Sequence, residues 1–432
     1  MSRYRNAAPV HRGRVAALIA FTCLALLVVP IAPARAAVPR VPARFTITGS
    51  GQGHGAGMAQ YGAYQLARTG SSTDDILRHY YPGTSLGVAN NNPRAVKVQV
   101  LGPPADARTS GKLTVTGSRI TITDGSGRSL GSFAAGTVSL KVKGTRVSAR
   151  IRKKWVTASR LVFTWKNAAG TASVAGAQGR YRYGNLQVTA IGKRLNVVNQ
   201  LAMNTEYLYG IDEMPASWGD AGGAAALRAQ VIAARNYVIT RILRLPEAQQ
   251  GADAGAPRCD CHVFDDERSQ NFTGWKKAGP LANRPWITAV DATIHPDPAQ
   301  PDGSAVEVLR DPSRGLAETP YFASSGRGGG TGANGDVFGT EALSYLVHVD
   351  DPSSALAPGN PHLSWKRKLT QARAVRIFGL KKITSLAVTS TYPGGLVKSM
   401  TATAADGRTR TLTRTSTAWC DLLGVPAAWL VK

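Results

Sequence analysis

The sequence predicts an α+β protein of two lobes, with a β-rich module inserted between two motif-bearing segments. Three observations carry that prediction. The 432 residues exceed what one ordinary core holds. A long stretch from 94 to 195 alternates apolar and polar residues with period two. Glycine-punctuated segments flank it, and one of them places Leu227, Val231, Ala234, Val238, Ile242 and Leu245 at helical spacing.

In chain order, residues 1–36 read as a secretory signal. Arg3, Arg5, Arg12 and Arg14 make a basic start, Val15 to Ala32 is largely apolar, and Ala34, Arg35 and Ala36 form a small-x-small cleavage site. The mature chain is then expected to begin at Ala37. An uncleaved anchor is the competing reading, because an apolar run of about 18 residues is near the spanning limit. Either way the rest is expected to be exported, secreted or held at the cell envelope. Without five signal arginines, 47 basic face 26 acidic side chains, a formal charge of +21. Outside a bacterial membrane such a surface favours anionic lipids and anionic wall polymers over nucleic acid; a solvated basic surface with no partner is the plainer reading.

Residues 37–91 hold a strand candidate, Arg44 to Thr48, a glycine-rich turn, a helix from Met58 to Arg68, and a second helix that Ser72 and Asp75 cap through Tyr80. Residues 92–195 form the β-rich module, with VKVQVL, KLTVTG, RITITD and VSLKVKG as strands. Residues 196–345 carry Glu213 and the long helix, whose Gln230 and Arg235 either form an exposed polar face or pack under Glu213 and fix it. Within this region 320–339 reads as a flexible glycine-rich lip, and residues 346–432 mix strands and helices, with a helix candidate near Trp365.

Three cysteines follow the signal: Cys259, Cys261 and Cys420. An exported location suits one disulfide. The two-residue spacing of Cys259 and Cys261 disfavours a direct bridge, which leaves pairing of one of them with Cys420. With His262 adjacent a zinc site is the alternative, but four well-spaced ligands are not visible. Other chemistries fail on spacing. GxGxxG, GxxxxGK and HExxH are absent, and the GxSxG match around Ser129 lies between strand candidates and reads as a hairpin turn.

What remains is YLYGIDEMPASW at 207–218 and GSGQGHGAGMAQYGA at 49–63. Glu213 sits among Met214, Pro215 and Trp218 beside the like-charged Asp212, surroundings that raise a carboxyl pKa towards that of a general acid. The plainer reading is a carboxylate paired with an arginine such as Arg235.

These segments resemble the SpoIID/LytB family of peptidoglycan proteins. YLYGIDEMPASW is similar to its YLxGVVxxEMPxSW, ALRAQVIAARNY to its ALKAQAVAARTY, SQNFTG to its QVYxG, and ASSGRGGGTG to its SSSxGGxT. GQGHGAGMAQYGA with ILRHYYPGTSL is similar to its GxGHGxGMSQYGA and ILxxYYxGTxL pair. Three departures stand out. The GHG segment opens the mature protein where many members carry it near the C-terminus, the Glu213 segment is two residues shorter, and Arg268 and Ser269 stand where metal-bearing members carry Cys or His. The resemblance implies lytic transglycosylation of glycan strands with Glu213 as acid and base. Substrate contacts are expected of His54, Gln60, Tyr61, Ser324 and Thr331, with a turn histidine bonded to backbone the plainer reading of His54 and a core ring that of Tyr61, and no metal or cofactor is needed. The resemblance also implies the rival role of a wall-binding protein that stimulates a cell-wall amidase. The site is expected in a cleft between the 49–63 turn and the Glu213 segment.

Overall fold

The computed structural model describes residues 40–90, 95–166, 169–246, 249, 256–299, 304–311, 313 and 315–431. The signal-like segment therefore lies outside the described residues. Helices and strands in several sheets give the expected α+β class, and Arg40–Lys432 form one compact unit. Within it, one hydrophobic core runs from the module (Val115, Val138, Leu161) through the long helix (Leu227, Val231) to Met58 and Phe322. A second, with Ile47, Phe378, Met400 and Trp419, underlies the C-terminal part.

The module is two sheets. A five-stranded one runs Lys154–Ala158, Arg146–Ile151, Gly136–Lys143, Ser110–Thr116, Thr171–Val174. A seven-stranded one ends in Ala95–Leu101 and, parallel to it, Val263–Phe264. That last strand comes from beyond the long helix, so the second sheet is shared between the module and the segment that bears Glu213. The turn around Ser129 is indeed a hairpin, between Ile120–Asp124 and Ser129–Phe133.

The GHG segment is held against C-terminal parts of the chain by a shared sheet. Arg44–Ser50 is the middle strand of a three-stranded sheet whose outer strands are C-terminal, Trp365–Thr370 and Trp429–Leu430. The start of the described chain is thereby pinned among its last residues. Trp365 opens a strand and not the expected helix, since the edge of Arg44–Ser50 offers its backbone an antiparallel partner. Met58 and Ala59 likewise form a short strand, parallel to Tyr321–Phe322, and helix α1 (Gln60–Arg68) begins only after it. Helix α2 (Thr73–Tyr80) starts with the expected capping box of Ser72 and Asp75, worth about 1 kcal/mol.

Helix α3 (Ala224–Leu243) departs from the single apolar stripe: Ala226, Leu227, Ala229 and every residue from Gln230 to Asn236 are buried. Gln230 and Arg235 are therefore inside and form no exposed face. The segment expected as a flexible lip is also packed. Ser324, Ser325, Gly326, Gly330 and Thr331 are buried, bridged to the GHG turn through Gln52 with Ser324 and Ala56 with Gly332. Its glycines serve close packing, because a Cβ on Gly328 would lie 2.0 Å from the Trp429 ring.

Candidate functional site

Two turns assemble the centre of the site. In the first, the Gly210 amide donates to the Tyr207 carbonyl at 2.9 Å, and the indole of buried Trp286 donates to the Leu208 carbonyl at 2.9 Å. The second turn, 269–274, lies against it: Asp212 N–H donates to Asn271 O at 2.8 Å and Thr273 N–H to Gly210 O at 2.9 Å. Only glycine fits at 210, where a Cβ would stand 2.4 Å from the Phe272 ring. This pairing aims the Asn271 amide at Glu213, whose Oε1 accepts from it at 2.6 Å.

Two further donors reach the same carboxyl, the side chains of Gln60 and Tyr321. They arrive together because Met58–Ala59 pairs with Tyr321–Phe322, which sets the first residue of α1 beside Tyr321. Behind them runs a chain of donors: Tyr207 hydroxyl to Gln270 Oε1 at 2.6 Å, then Gln270 Nε2 to the Tyr321 oxygen at 2.8 Å, then Tyr321 to Glu213. Gln230, buried in α3, accepts from Gln60 Nε2 at 3.3 Å.

Burial pushes the Glu213 carboxyl above the usual glutamate range; the three donors oppose that shift, and Asp212 adds to it. Burial is the largest cause, and the like-charged neighbour the smallest. Asp212 is itself paired with Lys277 at 2.9 Å, and Thr273 donates to its other oxygen at 3.1 Å. Glu213 itself remains half-buried, as do Tyr61, Trp218, Tyr237, Tyr321 and His362. Tyr61 stands edge-on to Trp218 at 4.9 Å and to His362 at 5.7 Å, and Trp218 stacks on Tyr64 at 4.3 Å. A carboxyl with a raised pKa is therefore joined through α1 to partly exposed aromatic rings. A separate cavity of about 650 Å³ is lined by Thr73, Gly219, Asp220, Arg228 and Arg284 among others, but not by Glu213.

The remaining sequence candidates are placed differently. His54 accepts from the Ala56 amide at Nδ1, 3.1 Å, and donates to the Tyr321 carbonyl. It lies between Phe322 and Phe338, where burial pushes its pKa down to about 4. It is a neutral ring that steadies the backbone bearing Tyr321. Ser324 is fully buried, its hydroxyl accepting from Gly326 N–H and Asn360 Nδ2. Thr331, also fully buried, donates to Val347 O and accepts from Val349 N–H. Both hydroxyls are thus committed to the fold. Arg235 does not pair with Glu213: its guanidinium bonds Asn204, Thr293 and the Glu307 carbonyl, fastening α3 to the strand Ser304–Asp311.

The cysteines also differ from expectation. Cys259 and Cys261 are bridged to each other across 5.1 Å between Cα atoms, and Cys420 is free. A positive φ of 49° at Asp260, the residue between them, folds the chain tightly enough for the bridge. It also turns Asp260 onto Lys97 at 2.7 Å and Arg160 at 3.2 Å. Among the described residues no group of three His, Cys, Asp or Glu is placed to hold a metal ion.

Tyr321 and Asn271 were not among the sequence candidates. Asn271 acts on Glu213 through its backbone amide, so no side-chain identity signals it, and Tyr321 depends on a strand pairing between residues more than 260 apart in sequence.

Residues 192–295 match the SpoIID family model, described as Stage II sporulation protein. The amidase enhancer of Bacillus subtilis (strain 168) is 51% identical over 49 residues, 11% of this chain and 7% of that protein. Stage II sporulation protein D of the same strain is 49% identical over 45 residues, 10% of this chain and 13% of that one. Its counterpart in Bacillus amyloliquefaciens is 50% identical over 46 residues, again 13% of its length. The chain therefore aligns with only a small part of each relative. No solved structure gives a significant match. Residues 192–295, with Glu213, the 269–274 turn and helix α3, are a SpoIID-family domain of this chain.

Proposed function

We propose that the protein is an exported peptidoglycan lytic transglycosylase in which Glu213 serves as both acid and base. The observation that carries this reading is a single half-buried carboxyl, raised in pKa by burial and held by Gln60, Asn271 N–H and Tyr321. A general acid must be protonated before reaction and stable as carboxylate after it. Burial serves the first need and the three donors the second.

In the reaction Glu213 gives its proton to the glycosidic oxygen as the bond to the anomeric carbon breaks. As carboxylate it then takes the proton of the sugar's own C6 hydroxyl, whose oxygen closes on the anomeric carbon as a 1,6-anhydro ring. Water takes no part, so the second carboxylate of ordinary glycosidases is dispensable. Tyr61 and Trp218 supply ring faces for the glycan.

A second reading rests on the likeness to the protein named amidase enhancer: a wall-binding protein that stimulates a cell-wall amidase, with Glu213 as a structural acceptor for three donors. Peptide-free glycan incubated with wild type and with Glu213→Gln separates them. Anhydro-ended fragments from wild type alone support cleavage. Wall binding by both proteins with fragments from neither refutes cleavage in favour of the enhancer.

A further inference from the structure

The module carries a charge distribution that cleavage at Glu213 does not use. Between Asp124 and Glu206 lie 81 residues with 14 lysines and arginines and no acidic side chain. Strand register shows where four of them go, beside Lys112. In the five-stranded sheet Val115, Val138, Leu140, Val147 and Ala149 are buried on the inner face. The residues between them point outward, and there Lys112, Lys141, Lys143, Arg146 and Arg150 are all exposed.

They form a pattern. One row across four strands reads Lys112, Ser139, Arg150, Trp155; the next reads Ser110, Lys141, Ser148, Thr157; Lys143 faces Arg146 at the hairpin end. In the first two rows each cation stands opposite a serine and diagonal to the next cation, a separation of about 7–8 Å. Lys141 is central, diagonal to Lys112, Arg146 and Arg150, and its ammonium lies 3.9 Å from the Trp155 ring centroid. Hydroxyl pairs fill the rest, Thr114 with Thr137 at 2.9 Å and Ser148 with Thr157 at 2.8 Å. Among the described residues none of the five cations has an acidic partner.

We propose that this face binds a linear polyanion of sugar or polyol phosphate units, such as an anionic polymer of a cell wall. Repeated cations at short, even separations match repeated phosphates, and interleaved hydroxyls and one ring match the polyol between them. A membrane surface fits less well, because insertion calls for several exposed apolar groups and Trp155 is the one exposed large hydrophobic side chain described on the module. The assignment does not rest on cleavage at Glu213.

The test uses the full chain, immobilised poly(glycerol phosphate), and vesicles of phosphatidylglycerol. Lys112→Ser, Lys141→Thr, Arg146→Thr and Arg150→Thr are combined in one variant, with residues that suit exposed strand positions. A control removes four exposed charges elsewhere: Lys366→Thr, Arg367→Thr, Arg376→Gln and Lys381→Ser. At an ionic strength of about 0.1 M, where the screening length of about 10 Å still spans neighbouring cations, the sheet variant should bind the polymer at least about tenfold more weakly. It should also show a shallower salt dependence, while the control stays within about twofold of wild type by the same screening argument. Equal loss in the control, unchanged binding by the sheet variant, or binding to vesicles without binding to polymer would each overturn the proposal. Should the fourfold variant not fold, as judged by near-ultraviolet circular dichroism, the pair Lys112→Ser with Arg150→Thr answers the same question at a smaller reduction.

Discussion

Replacing Asp265 by Asn should remove one pH-dependent component of stability. Asp265 is 8% exposed and lies between the strand Val263–Phe264 and the 269–274 turn. Its amide donates to Gln99 O at 3.2 Å and its carbonyl accepts from Phe272 N–H at 3.0 Å. Burial, with Asp266 adding to it, pushes the carboxyl from the ordinary 3.8 up to about 7. Because the folded value lies above the unfolded one, the stability it contributes is complete below about pH 4 and is lost as the pH rises to about 7. At about 1.4 kcal/mol per pH unit of displacement, the whole loss is about 4 kcal/mol. Some of it has already occurred at pH 5, so the fall between pH 5 and pH 8 is about 2.5 kcal/mol. Asn resembles the neutral acid and has nothing to ionise. Urea unfolding followed by tryptophan fluorescence at pH 5, 6, 7 and 8 should show wild type losing about 2.5 kcal/mol relative to the variant across that range, a difference from which the opposite contribution of His54, whose pKa burial pushes down to about 4, cancels. Glu213 and Asp351, raised in the same direction, and His54, lowered, act in both proteins and leave that difference unchanged. Parallel curves for the two proteins would refute the claim that a buried, reluctant carboxylate sits behind the turn.

Three other outcomes follow from the same geometry. Glu213→Gln should lower glycan cleavage by about 10²–10⁴-fold, the usual range for losing an acid–base group, yet raise the melting temperature at pH 7, with the gain vanishing below about pH 4 as both side chains become neutral. Tyr321→Phe removes a donor that favours the Glu213 carboxylate, so the limb of the pH–rate profile set by Glu213 should move to higher pH; an unmoved limb argues against the contact. Asp260→Ala deprives Lys97, whose side chain is fully buried, of its carboxylate at 2.7 Å, and denaturant unfolding should show a loss of about 3–5 kcal/mol.

Much was legible in the sequence because it is written locally. The capping box at Ser72, the hairpin at 125–128, the strands of the module and the long helix each depend on residues a few positions apart, and each formed near its expected place. Glu213 was also legible locally, since the motif around it, Tyr207 to Trp218, is contiguous in sequence. Cys259 and Cys261 were misjudged for the complementary reason. Spacing alone disfavours their bridge, and the backbone conformation at Asp260 that permits it, held by Lys97 and Arg160, is supplied from outside the motif.

Sequence by itself determined which side chain is the candidate acid, that its surroundings favour a raised pKa, and that the module would be β-rich. Only the tertiary structure decided which groups reach that acid. Gln60 arrives because the first described strand is clamped between the last ones, Tyr321 because its strand pairs with Met58–Ala59, and Asn271 because two turns interlock. It also withdrew Ser324, Thr331 and Arg235 into the framework and gave His54 to the backbone. The physical reason is common to all of these: hydrogen bonds and burial act between atoms brought close by chain folding, and sequence distance says little about which atoms those are.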